Sequence, residues 1–203
     1  MTLKRCVDVA GALLGLLLVW PLGLAVAVAV RLDSPGPVLF RQQRVGWRGR
    51  LFRIHKFRTM RADGLPGPLV TAGSDARITR VGRVLRRYKL DELPQLIDVL
   101  RGEMSLVGPR PEVPRYMALY ADGVRHRILS VRPGITDPAT ILFRDEESLL
   151  AAAPDAERAY IETIMPIKQR HYLDYVAHHS VSGDLVILLR TVGAVLSTRR
   201  GKA

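Results

Sequence analysis

The chain has 203 residues, enough for one sizeable core, and combines a net charge of +12 and a pI of about 10.6 with 48% hydrophobic residues. That balance points to an anionic surface or a phosphorylated substrate. Aromatics at 6% leave no ring-interleaved basic ladder, which argues against nucleic acid, and the single Cys6 excludes a disulfide framework or a cysteine metal cluster.

After Lys4 and Arg5 the chain runs almost without charge from Val9 to Val30. As a helix those residues would cover roughly 33 Å, enough to cross a bilayer core. Pro21 stands in the middle, next to Trp20, and removes a backbone hydrogen bond there, so a kink or break is expected. Two geometries remain: a kinked spanning helix, or a broken one that enters and returns to the same face. Basic residues at both ends (Lys4 and Arg5, then Arg31 and the cluster from Arg41) favour re-entry.

Ser34-Pro35-Gly36-Pro37 is a turn-rich exit. Val38–Phe40 and Leu51–Phe57 read as short strands flanking Gly46-Trp47-Arg48-Gly49, a hairpin pattern. From Arg41 to Arg61 there are eight basic residues and no acid, a composition suited to anionic headgroups. Within it Lys56 and Arg58 alternate with Ile54, Phe57 and Met60, which ties them to an ordered segment. Residues 62–75 read as a loop. Ile78–Tyr88 carries a helical apolar stripe at 78, 81, 84, 85 and 88 with arginines opposite.

From Arg77 to Lys89 there are six basic residues and no acid, and then Leu90-Asp91-Glu92-Leu93-Pro94-Gln95-Leu96 follows. Two adjacent carboxylates in so positive a field suit a site that holds phosphate and a divalent cation, with one carboxylate free to attack. Two solvated carboxylates opening an exposed helix are the competing reading. Pro94 fits the first turn of a helix from about Glu92 to Leu100, with Asp91 as its cap. Farther on, Pro109 and Pro111 hold the backbone on either side of Arg110, presenting its guanidinium as a fork for phosphate or carboxylate. Residues 145–162 are acidic and alanine-rich and read as an ordinary exposed helix. Ser182–Leu196 reads as an apolar or amphipathic helix, compatible with a membrane interface. The adjacent His178 and His179 share no face and read as surface residues.

Six stretches, in order, resemble the bacterial sugar transferase family of monotopic phosphoglycosyl transferases. They are Lys4-Arg5 with Asp8; Gly36-Pro37-Val38-Leu39-Phe40-Arg41-Gln42; Lys56-Phe57-Arg58-Thr59-Met60; the Leu90–Leu96 segment; Met104-Ser105-Leu106-Val107-Gly108-Pro109-Arg110-Pro111; and Pro133-Gly134-Ile135-Thr136. The resemblance implies an α/β (α+β) monotopic membrane protein. Residues 1–33 would form a re-entrant helix-break-helix with both ends cytoplasmic. Residues 34–203 would form a catalytic domain on the cytoplasmic face of the bacterial inner membrane, with a short β-hairpin and amphipathic interfacial helices.

It also implies transfer of a phosphosugar from a UDP-sugar to a polyprenol phosphate, with release of UMP, as the first membrane step of glycoconjugate synthesis. Asp91 would be the nucleophile and Glu92 the Mg²⁺ ligand, with Lys56, Arg58, Arg110 and Arg144 as anion or nucleotide contacts and Asp174 a further candidate. Membrane phospholipid is the expected surface, nucleic acid is not a partner, and a homodimer is compatible with the chain. Three positions depart from the family pattern: Lys89 replaces a common serine, Trp20 precedes Pro21 where serine is frequent, and Asp137-Pro138-Ala139-Thr140 replaces Gly-Trp-Ala-Gln. The last falls where the substrate pocket is expected, so the sugar is left open. The rivals are a membrane-bound UDP-sugar pyrophosphatase and a non-catalytic basic membrane scaffold.

Overall fold

The computed structural model describes residues 2–61 and 75–197; most of the expected 62–75 loop and the basic tail after Ser197 lie outside them. Within that range the chain is a mixed α/β domain with one apolar N-terminal helix, α1 (Leu3–Asp33). The Thr2 side chain caps α1 by accepting from the Arg5 amide. Pro21 lies inside one helical segment rather than at a break between two. At 1.5 Å per residue a helix of 31 residues is about 46 Å long. It is the one helix among the described residues long and apolar enough to cross a membrane.

Both ends of α1 are fastened to the domain, and its middle is not. Near the N-terminus, Asp8 accepts from the Ser105 hydroxyl at 2.9 Å and the Leu106 amide at 3.0 Å, and Lys4 reaches Asp184. Ala12 is buried in a cluster with Phe52, Ile54, Val99, Met104 and Tyr175. Near the C-terminus, Val26 and Val30 pack against Phe57 and Leu85, and Asp33 accepts from the Val81 amide at 3.0 Å. Between them Leu13, Leu14, Leu17, Leu18, Trp20 and Leu24 are exposed.

The hairpin expectation holds, with a longer first strand: β1 (Leu39–Val45) pairs antiparallel with β2 (Leu51–Phe57), Phe40 opposite Lys56. The turn between them uses left-handed Arg48 and Gly49. Helix α2 (Arg80–Arg87) starts two residues later than the apolar stripe predicts, because Ile78 bridges Met60 and Thr79 becomes the cap. After a 3₁₀ turn at Leu90–Glu92 come α3 (Gln95–Arg101), β3 (Ser105–Val107), α4 (Pro114–Met117) and α5 (Asp122–Ile128). Strand β4 (Gly134–Thr136) runs parallel to β3, and the two backbones touch at glycine: a Cβ on Gly134 would lie 2.1 Å from the Gly108 nitrogen. Only glycine permits that approach, which pins the segment leading to Arg110.

The remaining elements are α6 (Pro138–Leu142), α7 (Glu146–Ala151), α8 (Ala156–Ala159), α9 (Met165–His178) and α10 (Val181–Leu196). The stretch 145–162 is therefore not the ordinary exposed helix its composition predicts. Pro154 and the polar residues around it break it, a π-helical turn occupies Tyr160–Ile164, and Leu150 and Tyr160 join the core beside Val113, Tyr116, Ile128 and Tyr172. Helix α10 exposes Leu185, Val186, Leu189 and Val192.

Candidate active site

Asp91 and Glu92 lie in the 3₁₀ turn, not at the start of the following helix; the residue before α3 is Pro94, and no side chain caps it. The turn is set by Lys89, whose left-handed backbone (φ 55°) costs about 1–2 kcal/mol for a residue with a Cβ. Such strain collects at functional sites. Both acids are buried, each 8% exposed, on the wall of a cavity of about 690 Å³, within the usual range for ligand sites.

The two carboxylates have opposite surroundings. Glu92 accepts from Lys56 Nζ at 2.9 Å through Oε1, from Arg110 Nη1 at 3.1 Å through Oε2, and again from Arg110 Nη2 through Oε1. Burial opposes its ionisation, but Arg110 and Lys56 outweigh that and hold it well below the usual carboxylate range. Asp91 Oδ1 is buried with no hydrogen-bond partner. Burial, and then the neighbouring charge of Glu92, push Asp91 upward, against the pull of Lys56, Lys89 and Arg86. Burial lowers Lys56, while for Arg110 the attraction of Glu92 overcomes burial and keeps the guanidinium charged. Arg110 is aimed by backbone pairing: Gly108 donates to Thr136 and Gly134 to Pro109, both at 3.0 Å.

The structure thus brings Asp91, Glu92, Lys56 and Arg110 together, with Arg144 on the same cavity, where it also donates to the Ser197 carbonyl at 3.1 Å. Arg58 touches the cavity wall, but its guanidinium is turned to the end of α1. It donates to the carbonyls of Val30 at 3.3 Å, Ser34 at 2.8 Å and Pro35. It satisfies helix-terminal carbonyls that would otherwise lack donors. Asp174 is not on the cavity; it is exposed and accepts from His178 at 3.0 Å within α9.

Sequence reasoning missed Arg44, Arg86, Glu146, Glu147 and Lys168, all on the cavity wall. Arg44 and Arg86 carried a signal, since both belong to the basic runs. Lys168 carried none.

Among the described residues no group of three or more His, Cys, Asp or Glu is placed to hold a metal ion. The donor chemistry still fits Mg²⁺, which binds through one or two carboxylates and fills its shell with substrate phosphate and water. Glu92 Oε2 accepts one of the two bonds its lone pairs allow, and Asp91 Oδ1 accepts none.

An apolar helix fixed at both ends to a domain with a basic, carboxylate-bearing cavity describes a membrane-associated α/β protein. Its sequence matches the model of the bacterial sugar transferase family over residues 1–198, and the chain belongs to that family. It is 41% identical over 210 residues to a UDP-glucose:undecaprenyl-phosphate glucose-1-phosphate transferase of Caulobacter vibrioides, covering 96% of this chain and 70% of that protein. With an undecaprenyl-phosphate glucose phosphotransferase of Komagataeibacter xylinus the identity is 47% over 208 residues, covering 97% of this chain but 36% of the relative. An exopolysaccharide production protein of Rhizobium leguminosarum bv. phaseoli is 39% identical over 209 residues, 99% of this chain and 98% of its own length.

Proposed function

We propose that this protein is a phosphoglycosyl transferase that moves a sugar phosphate from a UDP-sugar to a polyprenol phosphate by way of Asp91. The observation that carries this is the unpartnered, buried Asp91 Oδ1 beside a Glu92 already engaged by two cations. An unpaired carboxylate oxygen in a ligand-sized cavity is a nucleophile with no bond to break before it acts.

In the first step an Asp91 oxygen attacks the phosphorus that carries the sugar, forming an acyl phosphate and breaking the bond to UMP, which leaves with the electron pair. In the second an oxygen of the polyprenol phosphate attacks that phosphorus, and the Asp91 carboxylate leaves unchanged. Neither step needs a net proton transfer. Lys56 and Arg110 orient Glu92 and place positive charge where the diphosphate builds up negative charge, and Arg144 adds a guanidinium to the same cavity. Glu92 would hold Mg²⁺ through the open position on Oε2; the ion neutralises the substrate's phosphates when bound. Arg58 and Asp174 have no part in this scheme.

We further infer that α1 bends at Pro21, so that its exposed middle dips into one leaflet while both ends, which rest on the same domain, stay on one face. The domain then sits on the cytoplasmic face, with exposed α10 leucines and valines against phospholipid. A polyprenol tail that stays in the bilayer meets a cavity held at its surface.

Intact mass of nanodisc-held protein, incubated with Mg²⁺ and a panel of UDP-sugars without lipid, tests the scheme. A phosphosugar adduct on Asp91 that disappears when polyprenol phosphate is added is the expected result. UMP released without lipid and without an adduct would instead indicate the pyrophosphatase.

A further inference from the structure

The cavity holds a second polar group that the transfer chemistry leaves unused. Lys168, on α9, is 5% exposed, and its Nζ lies 2.6 Å from Glu146 Oε2. The same ammonium lies 5.0 Å from the ring centre of Tyr160 and 5.9 Å from that of Phe143. All four residues line the cavity. A lysine this buried is rare without a partner, and here the partner neutralises it. Among the described residues Glu146 is its one ion-pair partner, so further donor capacity of the ammonium and a carboxylate acceptor stand side by side.

The backbone supports a built site. Tyr160 opens the π-helical turn Tyr160–Ile164, a helix defect that costs regular hydrogen bonding and recurs at functional sites. The Tyr160 hydroxyl donates to Glu112 and its ring packs on Tyr116, 5.1 Å between centroids, so Tyr160 supports Lys168 from the core side. A charge-balanced donor and acceptor beside a partly buried ring suits a neutral polyhydroxylated group. It does not suit a phosphate, for which the cations Lys56, Arg110 and Arg144 are better made.

We propose that Glu146, Lys168 and Phe143 form the hexose subsite and set which sugar is accepted, with Tyr160 holding Lys168 from behind. Lys168 donates to, and Glu146 accepts from, neighbouring hydroxyls, while the Phe143 ring covers the apolar face of the pyranose. The assignment rests on the phosphoglycosyl reading above and adds to it the residues that choose the sugar.

The test measures affinity for UDP, UDP-glucose and UDP-galactose, and UMP release with lipid, for the full chain in nanodiscs and for Glu146→Gln and Lys168→Met. The native protein should discriminate between the two epimers. Each variant should keep its UDP affinity within about threefold and lose at least about tenfold for the preferred sugar, bringing the two epimers close together. Equal losses for UDP and UDP-sugar would make this a nucleobase or phosphate subsite and overturn the proposal. An unchanged epimer ratio in both variants would reduce the pair to a structural one, and native protein blind to the epimers would also overturn it. Phe143→Leu, which removes a partly buried ring and spares the ion pair, is read by the same ratio should a charge variant fail to fold. Native protein that distinguishes the epimers in binding but makes no product defeats the transferase reading alone, and the subsite is then judged by the binding ratio.

Discussion

Asp91 and Asp98 sit seven residues apart, at 8% and 1% exposure, yet their surroundings differ completely. Asp98 has a partner on each oxygen: they take the His55 amide at 2.9 Å and His55 Nδ1 at 2.6 Å, tying α3 to β2. Asp91 has a buried oxygen with no partner, next to a strained Lys89. A buried carboxylate with a partner on each oxygen holds a fold together; one left open where burial is costly is kept for a ligand or a reaction. Asp8 belongs with Asp98, since its bonds to Ser105 and Leu106 fasten the membrane helix.

The contrast is broken most directly at Asp91. Asp91→Asn should lower turnover on the order of 10⁴-fold and at the same time raise the melting temperature by about 2–4 °C at neutral pH. The sign follows from linkage. Because burial raises Asp91 in the folded state, the stability it contributes is complete below the unfolded value of about 3.9 and is lost as pH rises through the folded one. The difference in melting temperature should therefore vanish as pH falls below about 4. A variant that is inactive because it is less stable would place Asp91 with the structural acids.

Glu92→Gln should behave in the opposite way. It leaves Lys56 and Arg110 without their charge partner and should destabilise the protein by about 3–5 kcal/mol, with turnover down by about 10²–10³. Denaturant unfolding and steady-state rates on the same preparation measure both. Asp98→Asn should cost about 2–4 kcal/mol by breaking buried hydrogen bonds, with the rate per folded molecule within about threefold of native. A large kinetic defect at full folding would mean that the His55–Asp98 pair reaches the cavity chemistry.

How much of this was legible depends on whether the signal was local. The acid pair, the Pro-Arg-Pro fork and the hairpin are each written within about ten residues, and their turn chemistry can be read directly. Asp91 was misplaced as a helix cap because Pro94 reads as a first-turn residue, whereas left-handed Lys89 turns the acids into a separate 3₁₀ turn. The Glu146–Lys168 pair was invisible, since the two residues meet only through the path of α7 to α9, and nothing in either segment marks the partner. Alanine-rich composition also hid the breaks and the π turn in 145–162. In α1 the apolar run and Pro21 gave a membrane helix, but its fastening at both ends depends on residues as distant as Ser105 and Asp184.

Arg58 shows the limit of alternation as a guide, and it carries the smallest effect expected here. Its strand-like spacing with Ile54 and Phe57 correctly indicates an ordered position, but not whether the guanidinium faces the anion or the protein. Its three carbonyl contacts at the end of α1 require a planar fork with several donors. Arg58→Lys keeps the charge and loses that geometry. It should destabilise the protein by about 1–3 kcal/mol through carbonyls left without donors, while affinity for the UDP-sugar stays within about threefold. Calorimetric titration beside a thermal melt separates the two roles. A tenfold loss of affinity with the melting temperature intact would return Arg58 to the anion site, and Asp91 would then face one more cation than the geometry assigns it.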